Sequence, residues 1–274
     1  MRLVHEAGLV RVRECRHGLM AYLRSDEHVG RSLDVYGEWA EAEVELLSAF
    51  LKPGDVVVDV GANHGTHSLA FAKKVGPSGA LLAFEPQRVV HQLLCANLML
   101  NGVLHARALH AAVGAEPGAL LVPDIDYAAT GNFGGVGLGG WQEGESVPVL
   151  TLDGFALPSL AVLKLDVEGM EALVLRGAAQ TVTRCQPVLY VENNQPAGAP
   201  EVVEQLLRAD YSLHWHFSPF FRAANFAGVR ENVFGPTVDA NMLCLPRRLA
   251  GVGAPFLSVE GPNDTAAKAL SRGR

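Results

Sequence analysis

Apolar and polar positions change rhythm several times along the chain, and each change predicts an element. From Leu9 to Leu23 they alternate loosely, as in a hairpin of half-exposed strands turning at His17-Gly18. Residues 1–35 therefore read as a hairpin or cover segment. Trp39, Leu46, Leu47, Phe50 and Leu51 then recur at helical spacing and stop at Pro53-Gly54. Asp55 to Val60 is a compact β-branched run, the composition of a parallel strand buried on both faces, and it leads directly into Gly61-Ala62-Asn63-His64-Gly65. A helix through Leu69, Phe71 and Val75 ends at Gly76-Pro77, and Ala80 to Phe84 reads as a second buried strand closing on Glu85. The next helix carries Val90, Leu93, Leu94 and Leu98 on one face and stops at Asn101-Gly102, with Ala106 to Val113 as the third strand. Such alternation calls for an open parallel sheet.

The glycines between Gly131 and Gly140 are too close together for a helix or a strand and predict a mobile loop near the working edge of the sheet. Strand character returns at Val147 to Leu150 and at Ala161 to Leu165, followed by Asp166-Val167-Glu168-Gly169 and a helix whose Met170, Leu173 and Val174 share a face. Val188 to Val191 is the next buried strand. Pro200 suits the start of a helix through Val202, Val203, Leu206 and Leu207. Tyr211 to Phe217 and Asn241 to Leu245 form a closing pair of strands, so the main domain is expected to span 36–246. The Gly, Pro, Ala and Arg of 247–274 predict a flexible tail.

Composition narrows the class. With 274 residues, 49% hydrophobic and 19% charged, there is material for one large α/β core. A net charge of -7 disfavours a chain that grips phosphate backbones, so no nucleic-acid partner is expected. Cys15, Cys95, Cys185 and Cys244 are scattered and form neither a zinc motif nor a disulfide framework. The chain start lacks the unbroken apolar core of a signal peptide and no apolar run could span a bilayer, so the expected compartment is the cytoplasm.

Open α/β sheets bind ligands beyond the carboxyl ends of their strands, and here those ends are chemically coherent. The glycines of Val58 to Gly65 let backbone approach a ligand, but the spacing is G-x-x-x-G and not the G-x-G-x-x-G of a dinucleotide site. Asp59 inside this strand would accept amides of the turn or simply brace it. Glu85 can take both hydroxyls of a ribose. A nucleoside without a pyrophosphate suits this acidic turn, and the sulfonium of S-adenosylmethionine suits it better than NAD.

Five segments, YGEWAEAE from Tyr36, LKPGDVVVDVGANHGTHSLAFA from Leu51, AFEPQ from Ala83, LKLDVEGMEALVLRGA from Leu163 and VLYVEN from Val188, resemble the FkbM family of methyltransferases, as does FSPFFRAANFAGVRENVFG from Phe217. The resemblance implies a class I methyltransferase (Rossmann-like) α/β fold: a seven-stranded, mostly parallel sheet with an antiparallel last strand and helices on both faces. It also implies S-adenosylmethionine as cofactor. By position, Asp59, Gly61, Ala62, Asn63 and Gly65 would line its methionine half, Glu85 would take the ribose, and Pro86 and Ala112 would lie beside the adenine. Tyr36 and Glu38 would close over it, unless Tyr36 is a packing residue.

Asp166, Glu168, Glu192 and Asn193 end two neighbouring strands and should converge near the transferring methyl group. Asp166, itself a candidate cofactor contact, or Glu168 would hold or deprotonate an acceptor hydroxyl. Alternatively Asp166, Glu192 and Asn193 would bind a hard divalent ion, or Glu168 would only cap a helix. His214 and His216 face one side of a strand and are further candidates for the base, with a structural pairing as the alternative. Phe220 and Asn225, in a segment mixing phenylalanines with amides, suit a sugar or polyketide hydroxyl, or the phenylalanines merely pack. The expected activity is O-methyl transfer to a hydroxyl of a sugar, glycan precursor or natural product. N-methyl transfer and a non-catalytic cofactor-binding module are the alternatives, and a homo-oligomer is left open.

Overall fold

The structure, a computed structural model, describes residues 1–193 and 198–272. In chain order the strands and helices are β1 (Leu3–Ala7), β2 (Val10–Cys15), β3 (Gly18–Leu23), α1 (Val29–Val35), α2 (Glu41–Ser48), β4 (Val56–Val60), α3 (Thr66–Val75), β5 (Ala80–Phe84), α4 (Arg88–Leu100), β6 (Ala106–Leu109), β7 (Ala112–Val113), β8 (Gly118–Val122), β9 (Glu145–Leu150), β10 (Val162–Leu165), α5 (Glu171–Arg176), α6 (Ala179–Cys185), β11 (Val188–Glu192), α7 (Ala199–Arg208), β12 (Tyr211–Pro219), β13 (Val238–Pro246), β14 (Leu257–Ser258) and α8 (Ala266–Arg272). No described helix is long and apolar enough to cross a membrane.

The main sheet has the order β14-β12-β13-β11-β10-β4-β5-β6. Strands β6, β5, β4, β10 and β11 are parallel, β13 runs against both β11 and β12, and β14 runs against β12. This is the mostly parallel sheet that the resemblance implies, with eight strands rather than the seven expected, because the two-residue β14 extends one edge. Alternate side chains serve two cores. Val57, Leu81, Val162 and Tyr190 pack with α1 to α4, while Val58, Leu82, Leu163 and Leu189 pack with the α5, α6 and α7 side. Strand order reverses between β4 and β10, and it is there that a crevice forms at the carboxyl ends.

Several expectations shift. The third strand is interrupted at His110, whose ring nitrogen donates to the Pro86 carbonyl at 2.9 Å. β6 therefore stays in the main sheet, and β7 pairs with β9 in a separate three-stranded sheet whose third member, β8, has no clear apolar alternation. Helix α2 begins only after Ala40, which takes φ +46°, so Trp39 lies outside it. The buried face of α5 is Ala172, Val174 and Leu175, with Met170 before the helix, and on α7 Leu207 is exposed. The expected free tail instead folds back: Trp215 donates to Asp264 at 2.9 Å, Arg272 holds the same carboxylate, and β14 pairs with β12.

The N-terminal hairpin is one pair of a three-stranded antiparallel sheet. Fully buried Asn97 of α4 joins it to the site. Its Oδ1 accepts the Ala21 N–H at 2.6 Å, and its Nδ2 donates to the carbonyls of Ala21 at 2.9 Å and His64 at 2.7 Å. Asn97→Ala strands three buried backbone groups and is expected to destabilise the fold by about 2–4 kcal/mol, read from the urea midpoint.

Candidate functional site

The turn after β4 is built on backbone conformations that few side chains tolerate. Gly61 has φ +82°, and a Cβ there would collide with the Asp166 carbonyl, so only glycine lets β4 approach β10 this closely. The amides of Gly61 and Ala62 donate to the Phe84 carbonyl at 3.0 and 2.9 Å, fixing the turn to the end of β5. Beyond it Glu85, nearly buried, accepts the Asn63 N–H at 2.9 Å on Oε2 and the Gln87 N–H at 2.9 Å on Oε1. Burial outweighs these two amides and pushes its pKa up to about 7.

A cavity of about 320 Å³ opens over this turn. Gly61, Ala62, Asn63, Glu85, Pro86, Ala112, Asp166, Glu168, Glu192 and Phe220 line it, as the sequence suggests. Ala112 reaches it from β7, and not from the end of a main-sheet strand. Asp59 does not line it. It lies beneath the floor, accepting the Ser68 hydroxyl at 2.6 Å. Gly65 is also outside the lining and instead turns the chain into α3 with φ +84°.

At the far end Asp166, Glu168 and Glu192 each offer an oxygen within 4.8 Å of the others. The buried ammonium of Lys164 lies 2.8 Å from Asp166 Oδ2 and 3.9 Å from Asp59 Oδ1. Burial alone would raise Asp166, but Lys164 prevails and holds it below the usual carboxylate range. Burial, then the neighbouring Asp166 and Glu168, pushes Glu192 up to about 10. Burial with Glu43 and Asp166 pushes Asp239 up to about 8. Glu168, with φ +52°, is not the helix cap: Glu171 Oε1 accepts the amides of Val167 and Gly169, leaving Glu168 on the cavity wall. The trio is sized for one hard ion, with Lys164 competing for Asp166. Asn193, the expected amide ligand, instead turns toward Met242 Sδ at 3.3 Å and lies outside the lining.

The remaining predicted residues brace the site from behind. Tyr36 is buried, its hydroxyl donating to the Glu231 carbonyl at 2.9 Å and accepting the Val233 amide at 2.8 Å. Glu38 pairs with Arg16 and accepts the Phe226 amide, both at 2.7 Å. Asn225 bonds within its own loop, to Arg222 and Val229. His214 and His216 share a face of β12 but do not reach the cavity. His214 lies near Ser212 Oγ at 3.3 Å, His216 bonds the Tyr190 hydroxyl at 2.6 Å, and burial lowers the pKa of both.

The sequence reading missed His28, Glu43, His67, Gln87, Asn132, Lys164 and Asp239 on the cavity wall and assigned no site role to Trp39, whereas Asn241, one of the amides read with the phenylalanines as suited to a hydroxyl acceptor, does line it. Lys164 had a legible signal, a cation inside an apolar strand. Glycine 134 packs so close that a Cβ would stand 2.6 Å from Asn63 Nδ2, so the glycine-rich segment roofs the turn. That segment has no regular element and is anchored by buried Phe133, whose carbonyl accepts from Gln87 Nε2 at 2.6 Å.

A sequence model of the FkbM methyltransferase domain matches residues 59–213. The chain belongs to the FkbM methyltransferase family. This FkbM methyltransferase is 30% identical over 192 residues to methyltransferase sdnD of Sordaria araneosa, the match covering 58% of this chain and 74% of that protein. Among solved structures it is similar to an FkbM methyltransferase of Methylobacillus flagellatus KT, with 16% identity and a TM-score of 0.47. The match covers 70% of this chain and 43% of the other, so this chain spans less than half the length of that one. An rRNA methylase of Streptococcus thermophilus matches at 12% identity and a TM-score of 0.45, over 75% of this chain and 95% of the other.

The raised Glu85 fixes a pH dependence. A folded pKa of about 7 against an ordinary 4.5 means that the native state binds more protons between these values. The contribution of Glu85 is therefore full below about 4.5 and is lost as pH rises through about 7. Glu85→Gln should gain stability relative to the ligand-free parent between pH 5 and pH 8, read from urea midpoints at ~pH 5 and ~pH 8.

Proposed function

We propose that this FkbM methyltransferase moves a methyl group from S-adenosylmethionine to a hydroxyl of a sugar or other polyhydroxylated natural product. The observation that carries this reading is the division of one cavity into two chemically unlike ends. At one end the glycine turn, Glu85 and the apolar walls of Pro86, Ala112 and Leu138 suit a nucleoside: each Glu85 oxygen keeps a lone pair for a ribose hydroxyl, and the small side chains leave a slot for a flat base. When bound, the cofactor supplies an electrophilic methyl carbon on a positively charged sulfur. Asn63 and Gly61 border the space between Glu85 and Asp166, where its polar half would be held.

At the other end, Trp39 and Phe220 meet edge to face at 4.7 Å, with His28 packed on Phe220 at 5.4 Å. An aromatic wall suits the apolar face of a sugar ring, and Asp166, Glu168 and Asn241 on the same cavity can accept or donate hydrogen bonds to its hydroxyls. Those carboxylates favour O- over N-methyl transfer, because they would hold an amine as ammonium, without the lone pair that attacks carbon. They also repel a phosphate backbone, as does the net charge of -7. A cytoplasmic location is part of the same reading.

Incubation with methyl-labelled cofactor and a panel of sugars, sterol glycosides and amines should label hydroxyl oxygens. Label only on nitrogen would overturn the reading. Glu85→Gln should weaken S-adenosylhomocysteine binding about tenfold or more by calorimetry. Trp39→Ala should leave that affinity intact and raise KM for the acceptor about tenfold.

A further inference from the structure

His67 on the first turn of α3 lines the cavity while 5% exposed, and none of the cofactor or acceptor contacts above uses it. Its Nε2 lies 3.2 Å from Oε2 of Glu43 on α2. The other oxygen of Glu43, itself nearly buried, accepts from Nδ2 of Asn241 on β13 at 3.1 Å, and Asn241 stands opposite Glu192 in the sheet. Phe71, one turn further along α3, packs on the imidazole at a centroid distance of 5.8 Å. Three elements thus surround one ring: Nε2 is buried 3.2 Å from the carboxylate but off the line of a hydrogen bond, a contact of the kind that tightens in a substrate complex, and Nδ1 is the nitrogen left for the cavity. An imidazole facing a carboxylate, itself held by an amide, is the arrangement that prepares a histidine to receive a proton.

We propose that His67, positioned by Glu43 and Asn241, accepts the hydroxyl proton of the methyl acceptor. The inference rests on the O-methyl reading above. The acceptor oxygen bonds to the methyl carbon as the carbon–sulfur bond breaks with its electron pair going to sulfur, and the hydroxyl proton passes to Nδ1 of His67. Glu43 balances the charge that arrives.

The titratable neighbours support this assignment. Around the pair stand Lys164 and Asp166 of the β10 end, Tyr190 of β11, His216 of β12 and Asp239 of β13. Asp166 is committed to the buried Lys164 ammonium at 2.8 Å, which makes it a weak base. Glu192 has Asp166 and Glu168 oxygens within 4.8 Å, and this crowding of carboxylates disfavours it as the free base. Tyr190 and His216 bond each other at 2.6 Å outside the cavity lining.

His67→Gln keeps a donor for Glu43 and removes the base. It should lower kcat about 100-fold or more, abolish the acid limb of the kcat profile, and leave acceptor KM and S-adenosylhomocysteine affinity within about threefold. Glu43→Gln should lower kcat about tenfold, with Glu43→Asp recovering part of the loss. Independently of turnover, 15N-histidine spectra of the ligand-free protein, assigned against His67→Gln and His67→Asn, should show the neutral ring protonated on Nε2 and bare on Nδ1. A ring protonated on Nδ1, or a folded His67→Gln protein retaining a third of kcat with its acid limb, overturns the inference alone. Lost S-adenosylhomocysteine affinity with kcat preserved also overturns it, making His67 a cofactor anchor. A wild type that labels no hydroxyl overturns both readings.

Discussion

A lysine ammonium buried where the two halves of the sheet meet organises the rest of the site. Lys164 retains 2% of its surface, inside a strand otherwise built of valine and leucine. Removing such a charge from water costs several kcal/mol unless partners compensate. Asp166 at 2.8 Å and Asp59 at 3.9 Å do so, one from its own strand end and one from β4. Asp59 also accepts from Ser68, so one chain of polar contacts ties β10 to β4 and β4 to α3. Where α3 begins, and with it the placement of His67, depends on that chain.

Above this floor the cavity is electrically uneven. At Glu85 a single carboxylate faces two backbone amides in an otherwise small and apolar setting. Toward β11 and β13 the carboxylates of Asp166, Glu168, Glu192 and Asp239 share one region with the buried ammonium of Lys164. Burial, reinforced by mutual repulsion, then leaves some of them protonated, which turns part of an acidic cluster into hydrogen-bond donors. An environment of mixed donors and acceptors beside an aromatic wall is suited to hydroxyl groups.

The glycine-rich roof follows from the same crowding. Gly134 lies against the Asn63 side chain, and Gly137 would place a Cβ 3.3 Å from the Glu168 carbonyl, so the segment sits closely over both ends of the cavity. Gln87 grips the segment from the β5 side by bonding the Phe133 carbonyl and the Tyr127 hydroxyl. The covering layer is thus attached to the turn that precedes α4 and, through the backbone of Gly131, to the loop that follows β3.

The parallel strands, the helices α3, α4 and α7, the glycine turn and Glu85 were legible because each is a local pattern: β-branched runs, helical periodicity, and glycines where backbone must come close. The β7 to β9 sheet, the folded-back tail and the αL break at Ala40 were not, since short strands and caps are decided by partners distant in sequence. The same limit governs the site. The chain order determined that Asp166, Glu168 and Glu192 end neighbouring strands, but Asp59, Gly65, His214 and His216 are equally suggestive in sequence, and only packing puts them outside the cavity. Glu43, His67 and Asn241 lie on three separate elements and carry no shared motif. A side chain's chemistry is written in the sequence, whereas its neighbours at 3 Å are set by how the sheet twists and the helices settle on it.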